Sequence, residues 1–158
     1  MVTETAPAQA QNEVSAKIWQ VLETVVDPEI PVLTIVDLGI ARDVRMDGDR
    51  AIVSITPTYT GCPAMDTIKA DILTALCDHG FNSAVVETVV SPAWTTDWMS
   101  ADGRRKLEDY GISPPGEVRC PQCGSSETEC LSEFGSTACK ALYRCITCRE
   151  PFDHFKCI

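Results

Sequence analysis

Apolar residues recur along the N-terminal part of the chain at the period of a helix. Val14, Ile18, Val21, Leu22 and Val25 form one stripe at i, i+4, i+7, i+8 and i+11, which predicts a helix over 12–26. Asn12 suits its N-cap, and Pro28 ends it at or before Asp27. The loop Asp27-Pro28-Glu29-Ile30-Pro31 carries two prolines and is expected to be extended and stiff. Two strand-like runs, Ile40–Met46 and Arg50–Thr56, flank Asp47-Gly48-Asp49, a hairpin signal. A second helical run from Pro63 places Met65, Ile68, Ile72, Leu73, Ala75 and Leu76 opposite Lys69, Asp71, Thr74 and Asp78. Gly80 fits just past its end, and Cys77 reads as a packed thiol near its apolar side. In Phe81–Val90 the valines at 85, 86, 89 and 90 supply both faces, as in a strand inside a sheet. Strand, helix and strand in this order imply a right-handed crossover and a parallel pair. Ser100–Tyr110 reads as a short helix, and Trp94 and Trp98 before it as anchors into the core or as a lid-like cover for the Cys62 region.

These elements predict an α+β fold in the order α-β-β-α-β-α, with helices packed on a small three-stranded mixed sheet, followed by a cysteine-rich metal ribbon. The expected organisation is a disordered N-terminus at 1–11, an α+β domain at 12–112, a linker at 113–117 and a ribbon at 118–158. The linker rests on Ser113-Pro114-Pro115-Gly116.

Charge narrows the partners. The 158 residues carry a formal net charge of −10, of which −9 falls before Ser113 and −1 after it. No basic cluster suited to nucleic acid is visible, in the ribbon or elsewhere. No apolar run reaches the ~18 residues of a membrane span, and Met1–Gln11 lacks the pattern of a secretory signal. Nine cysteines without an export signal are expected to be reduced thiols in a cytoplasm, where metal binding outweighs disulfides.

Two places carry chemistry. Cys120-Pro121-Gln122-Cys123 and Cys145-Ile146-Thr147-Cys148 are paired knuckles 21 residues apart. Their four sulfurs suit one tetrahedral ion, zinc before iron, and such a staple answers the small core available to so short a unit. Cys139 and Cys157 could form a second soft-metal site with His154 or simply pack, and Cys130 is spare. The other place is Thr58-Tyr59-Thr60-Gly61-Cys62-Pro63-Ala64. Proline suits a first helical position, which puts Cys62 at the N-cap, where amide hydrogens and the helix dipole favour a thiolate. A nucleophilic enzyme would need a base beside it. The only histidines are His79, at the far end of the same helix, and His154, in the ribbon.

Asp27-Pro28-Glu29-Ile30-Pro31, Val36-Asp37-Leu38-Gly39-Ile40 and Thr58–Pro63 together resemble the MIP18/SufT-type family of iron–sulfur assembly proteins. Phe134-Gly135-Ser136-Thr137-Ala138-Cys139 through Cys145, and Glu150-Pro151-Phe152-Asp153-His154-Phe155-Lys156-Cys157, resemble the PaaD-type (also called PaaJ) subunits of bacterial phenylacetyl-CoA epoxidase systems. The resemblance implies an accessory role in aerobic phenylacetate breakdown, without enzymatic activity of its own. It implies iron or a transient iron–sulfur cluster at Cys62, with Asp27 and Glu29 beside it. Its implied partners are the epoxidase reductase or oxygenase components and the iron–sulfur assembly machinery. An iron-binding electron-transfer or structural subunit is the alternative. Pairing of the hairpin edge across a homodimer is a further option.

Overall fold

The computed structural model describes residues 6–156 as two sheets joined by a helix-bearing segment. Helix α1 spans Ala6–Leu22, earlier at both ends than the apolar stripe indicated. Asn12 therefore lies inside the helix, and residues 6–11, expected to be disordered, form its first turns. The stripe itself faces the core: Ile18 and Leu22 are fully buried and Val21 and Val25 nearly so. The chain leaves the helix before Val25 because Val26 bridges Thr34, with Ile35 N–H donating to Val25 O at 2.9 Å.

Strands β1 (Ala41–Asp47) and β2 (Arg50–Ile55) form the expected antiparallel hairpin. Gly48 turns it at φ +64°, a conformation glycine adopts at little steric cost. Helix α2 (Ala64–Asp78) crosses to β3 (Val85–Thr88), which pairs parallel with β2. The sheet order is β1-β2-β3, so β3 is an edge and not an interior strand. Val85 is exposed and Val86 half-buried; β2, with five consecutive buried residues, is the strand covered on both faces. Cys77 is exposed too, its thiol 3.1 Å from Asn82 Oδ1, not packed in the core.

Helix α3 (Ala101–Tyr110) starts at Ser100, whose Oγ accepts from Gly103 N–H at 2.9 Å, and stops at Gly111 with φ +93°. It is clamped onto the Val36–Ile40 segment. Asp37 is buried and accepts from Lys106 Nζ at 2.7 Å, Thr34 N–H at 3.1 Å and Ser100 Oγ at 3.2 Å. Burial alone would raise its pKa, but the Lys106 ammonium and the Thr34 bonds hold it below the usual carboxylate range. Gly39 lies at φ +73°, and a Cβ there would meet Trp98 O at 2.5 Å. Trp94 is a buried anchor as expected, donating Nε1–H to Leu38 O at 2.8 Å.

The second sheet runs β4 (Ile112–Ser113), β7 (Pro151–Phe155), β6 (Lys140–Cys145), β5 (Thr128–Ser132). Its first strand comes from the stretch expected as a linker: Ser113 is buried and pairs in parallel with His154. The two sheets share a core. Phe155 is 1% exposed and meets Trp94 edge to face, with ring centroids 6.0 Å apart at 74°. Cys139 joins the same cluster. A smaller cluster of Cys120, Cys145 and Phe152 fills the far end of the ribbon. No helix among the described residues is long and apolar enough to cross a membrane.

Candidate functional site

The four ribbon cysteines converge. The sulfurs of Cys120, Cys123, Cys145 and Cys148 all lie within 4.8 Å of one another, with Cys120–Cys148 at 3.6 Å and Cys123–Cys145 at 3.5 Å. Glycine after the first knuckle makes the turn: Gly124 has φ +75° and donates its N–H to Cys120 O at 2.8 Å. In the second knuckle Arg149 takes the equivalent conformation, φ 72°, and donates to Cys145 O at 3.1 Å. Amide hydrogens also point at the sulfurs. The Cys148 N–H bond leads the causes that pull the Cys145 thiol down to about 6. The Glu150 N–H likewise favours a Cys148 thiolate, yet desolvation and the neighbouring sulfurs push that thiol up to about 12. Four sulfurs this close cannot all ionise unless a cation joins them. The donor set therefore fits one metal ion with four sulfur ligands and no open position.

The second place is built around Cys62. Tyr59, Thr60, Gly61 and Cys62 form a turn, with Cys62 N–H donating to Tyr59 O at 3.3 Å and Gly61 at φ +78°. The Tyr59 hydroxyl beside the cysteine favours its thiolate. Pro63, not Cys62, occupies the N-cap of α2, and no side chain caps the helix. Cys62 sits one residue further out, half-buried, where the Ala64 amide favours its thiolate. The expected thiolate does not follow from this arrangement. Desolvation is the largest effect and raises the thiol pKa; the amide and Tyr59 bonds oppose it, and Glu29 and Asp27 add to it.

The acidic loop reaches this place by a tight turn, not by an extended run. Asp27 Oδ1 accepts from Glu29 N–H at 2.7 Å and Ile30 N–H at 3.0 Å, while fully buried Ile30 and Leu33 pin the loop to the core. Burial raises the Asp27 pKa against these bonds and the charge of Lys140. Glu29 is also raised, by desolvation first and then by the Asp27 charge. The ribbon contributes the remaining wall. Cys139 Sγ lies 3.8 Å from Glu29 Oε2, and the buried Lys140 Nζ lies 3.5 Å from Glu29 O. Desolvation pushes the Cys139 thiol up to about 11.

The sequence named Cys62, Asp27 and Glu29 together, and the charges of Glu29 and Asp27 act on the Cys62 thiol. It missed Tyr59 and Lys140. The spacing of Tyr59 three residues before Cys62 across a glycine was the available signal for the first; nothing local marks the second. Cys139 does not face His154. His154 lies in β7 between Ala141 of β6 and Ser113 of β4, with Nδ1 buried and without a partner. Cys157 falls outside the described residues. His79 sits at the far end of α2, its Nδ1 2.8 Å from Ala75 O.

Comparison with known proteins agrees with both halves. Residues 15–80 match the family described as iron–sulfur cluster assembly protein, and residues 108–156 the PaaD zinc beta ribbon domain. A protein of Escherichia coli (strain K12) named as a component of 1,2-phenylacetyl-CoA epoxidase is 53% identical over 152 residues, 90% of this chain and 92% of its own. An Fe-S protein maturation auxiliary factor of Porphyromonas gingivalis is 34% identical over 92 residues, 57% of this chain and 87% of its own. Among solved structures, a DUF59 domain of unknown function from Bacillus anthracis superposes with a TM-score of 0.60 at 32% identity. That match covers 63% of this chain and 96% of the domain. A conserved hypothetical protein from Thermotoga maritima superposes at 0.50 and 30% identity, over 58% of this chain and 91% of its own. With an iron–sulfur-assembly-type domain, a PaaD-type ribbon and this identity over nearly its whole length, the chain belongs to the PaaD family of phenylacetyl-CoA epoxidase components.

Proposed function

We propose that the protein is an accessory factor of aerobic phenylacetate breakdown that assembles or maintains the iron–sulfur or iron centres of a phenylacetyl-CoA epoxidase. The cargo is iron or a cluster, held at Cys62 and passed on. The observation that carries this reading is the setting of Cys62: a single half-buried thiol on which the Ala64 amide, the Tyr59 hydroxyl and the charges of Glu29 and Asp27 all act, while His79 sits at the far end of α2 bonded to Ala75 O. A nucleophile needs a base to take its proton, and the two histidines are committed elsewhere. A metal ion needs no such base, because it displaces the thiol proton itself. Few strong ligands also let a cargo leave. The four ribbon sulfurs are the opposite case, a closed set suited to a resident structural zinc ion that holds the hairpin and its neighbours in place. The relatives named for epoxidase and for iron–sulfur maturation support the same assignment, and the setting proposed with it is a cytoplasm with reduced thiols.

The test is replacement of Cys62 by serine in a strain expressing the epoxidase components. The variant is expected to fold and to keep its ribbon metal, whereas the reductase component purified from the strain is expected to be short of iron and acid-labile sulfide. Normal iron and sulfide in that component would overturn the proposal. Colour and a reversible reduction potential residing in the ribbon would instead favour an electron-transfer subunit.

A further inference from the structure

We infer that Cys139, carried by the ribbon, is the second sulfur ligand of the cargo at Cys62, so that a thiophilic divalent ion is held across the boundary between the two sheets with Glu29 as the third donor. This rests on the assembly reading above. Cys139 stands just before β6, well away from the four-sulfur centre in the fold. Its backbone is fixed by Lys156 N–H donating to Cys139 O at 2.8 Å. Its sulfur touches Thr137 Oγ1 at 3.1 Å and faces Glu29 Oε2 at 3.8 Å.

Glu29 is the shared element: its Oε2 lies 3.8 Å from Cys139 Sγ, and Cys62 and Tyr59 pack against the same core cluster that contains Cys139. Two thiols and one carboxylate are a donor set for a soft or borderline first-row ion such as iron(II). The donors are not gathered within 4.8 Å of one another as the ribbon sulfurs are. Binding must therefore draw the rotatable Glu29 and Cys62 side chains inward, which suits a cargo meant to depart. The step balances. Two S–H bonds break, two metal–sulfur bonds form, both protons leave to solvent and no electron is transferred. One dication enters as two protons leave, so the pocket gains no net charge.

The test uses the full chain with its ribbon loaded with zinc, titrated with cobalt(II) without oxygen while zinc is assayed in parallel. The wild type is expected to show a sulfur-to-cobalt charge-transfer band. Cys139→Ser should lower its intensity to about half, as one of two thiolates is lost, and weaken cobalt binding tenfold or more. Cys62→Ser should do the same, and the double variant should show no band. A Cys139→Ser variant that binds like the wild type, while Cys62→Ser abolishes the band, would overturn the role of Cys139 and leave the assembly reading standing. No cobalt band in the wild type would overturn both. X-ray absorption on the cobalt-loaded wild type needs no variant to fold: two sulfurs per cobalt are expected, and one would refute the inference.

Discussion

Phe155→Ala tests whether the two sheets form one cooperative structure or two units on a string. Phe155 belongs to the ribbon sheet but is 1% exposed in the core of the N-terminal sheet and its helices, edge to face with Trp94 at 6.0 Å. Truncating so buried a phenylalanine costs about 3–5 kcal/mol in lost transfer energy and residual cavity. The aromatic pair contributes about 0.5–1.5 kcal/mol of that total, and Phe155→Leu should lose roughly that share alone. Against a typical domain stability of about 5–15 kcal/mol, the alanine variant loses a large part of the whole. In a chain of 158 residues this lowers the melting temperature by roughly 6–20 °C, at about 2–4 °C per kcal/mol. The assay is urea unfolding of the zinc-loaded protein, followed by tryptophan fluorescence for the N-terminal domain and by zinc release for the ribbon. Both signals are expected to move together to lower urea. A shift below about 1 kcal/mol, or loss of ribbon zinc with the tryptophan transition unmoved, would refute the shared core.

Gly39→Ala places a Cβ 2.5 Å from Trp98 O at φ +73°. The left-handed backbone costs about 1–2 kcal/mol and the displaced Trp98 backbone about 1–3 kcal/mol, so a urea midpoint unchanged from wild type would show that the 96–98 segment yields freely. His154 gives a pH test. Burial lowers its pKa below the usual 6.5, with Lys156 adding to this and the Ser113 backbone opposing it. The folded state therefore resists protonation: the stability held by neutral His154 is complete above 6.5 and is lost as pH falls through 6.5 toward the folded value. Unfolding free energies measured at about pH 7.5 and about pH 5.5 should fall less for His154→Gln than for wild type; equal falls would refute the assignment.

The amphipathic helices, the Asp-Gly hairpin and the paired cysteine knuckles were legible in the sequence because each is a local signal. Ile18 and Leu22, or Ile68 and Ile72, repeat at helical spacing whatever surrounds them. What misled was context. The N-terminal Ala and Gln residues have no apolar pattern, yet residues 6–11 continue α1. Val85 and Val86 read as interior, but among the described residues no fourth strand covers β3. At Cys62 the helix terminus and the desolvation of the thiol act in opposite senses. Position in sequence shows only the first, and burial outweighs it. The contact between Cys139 and Glu29 spans 110 residues, beyond any periodicity.

Lys140 shows why a ribbon should be joined to such a domain at all. A lysine side chain this buried is costly unless anions surround it, and its ammonium lowers the pKa values of Asp27, Glu29 and Cys139. The residue begins β6, paired with Phe155 of β7, and β6 ends at Cys145 in the four-sulfur centre. Metal in the ribbon thus fixes the strand whose other end brings a cation and a thiol to the acidic loop beside Cys62. On the inference made above, the ribbon does more than hold a structural ion: it completes the ligand set and partly neutralises the acidic loop, so loss of its metal should weaken cargo binding at Cys62 even with every residue around that cysteine intact.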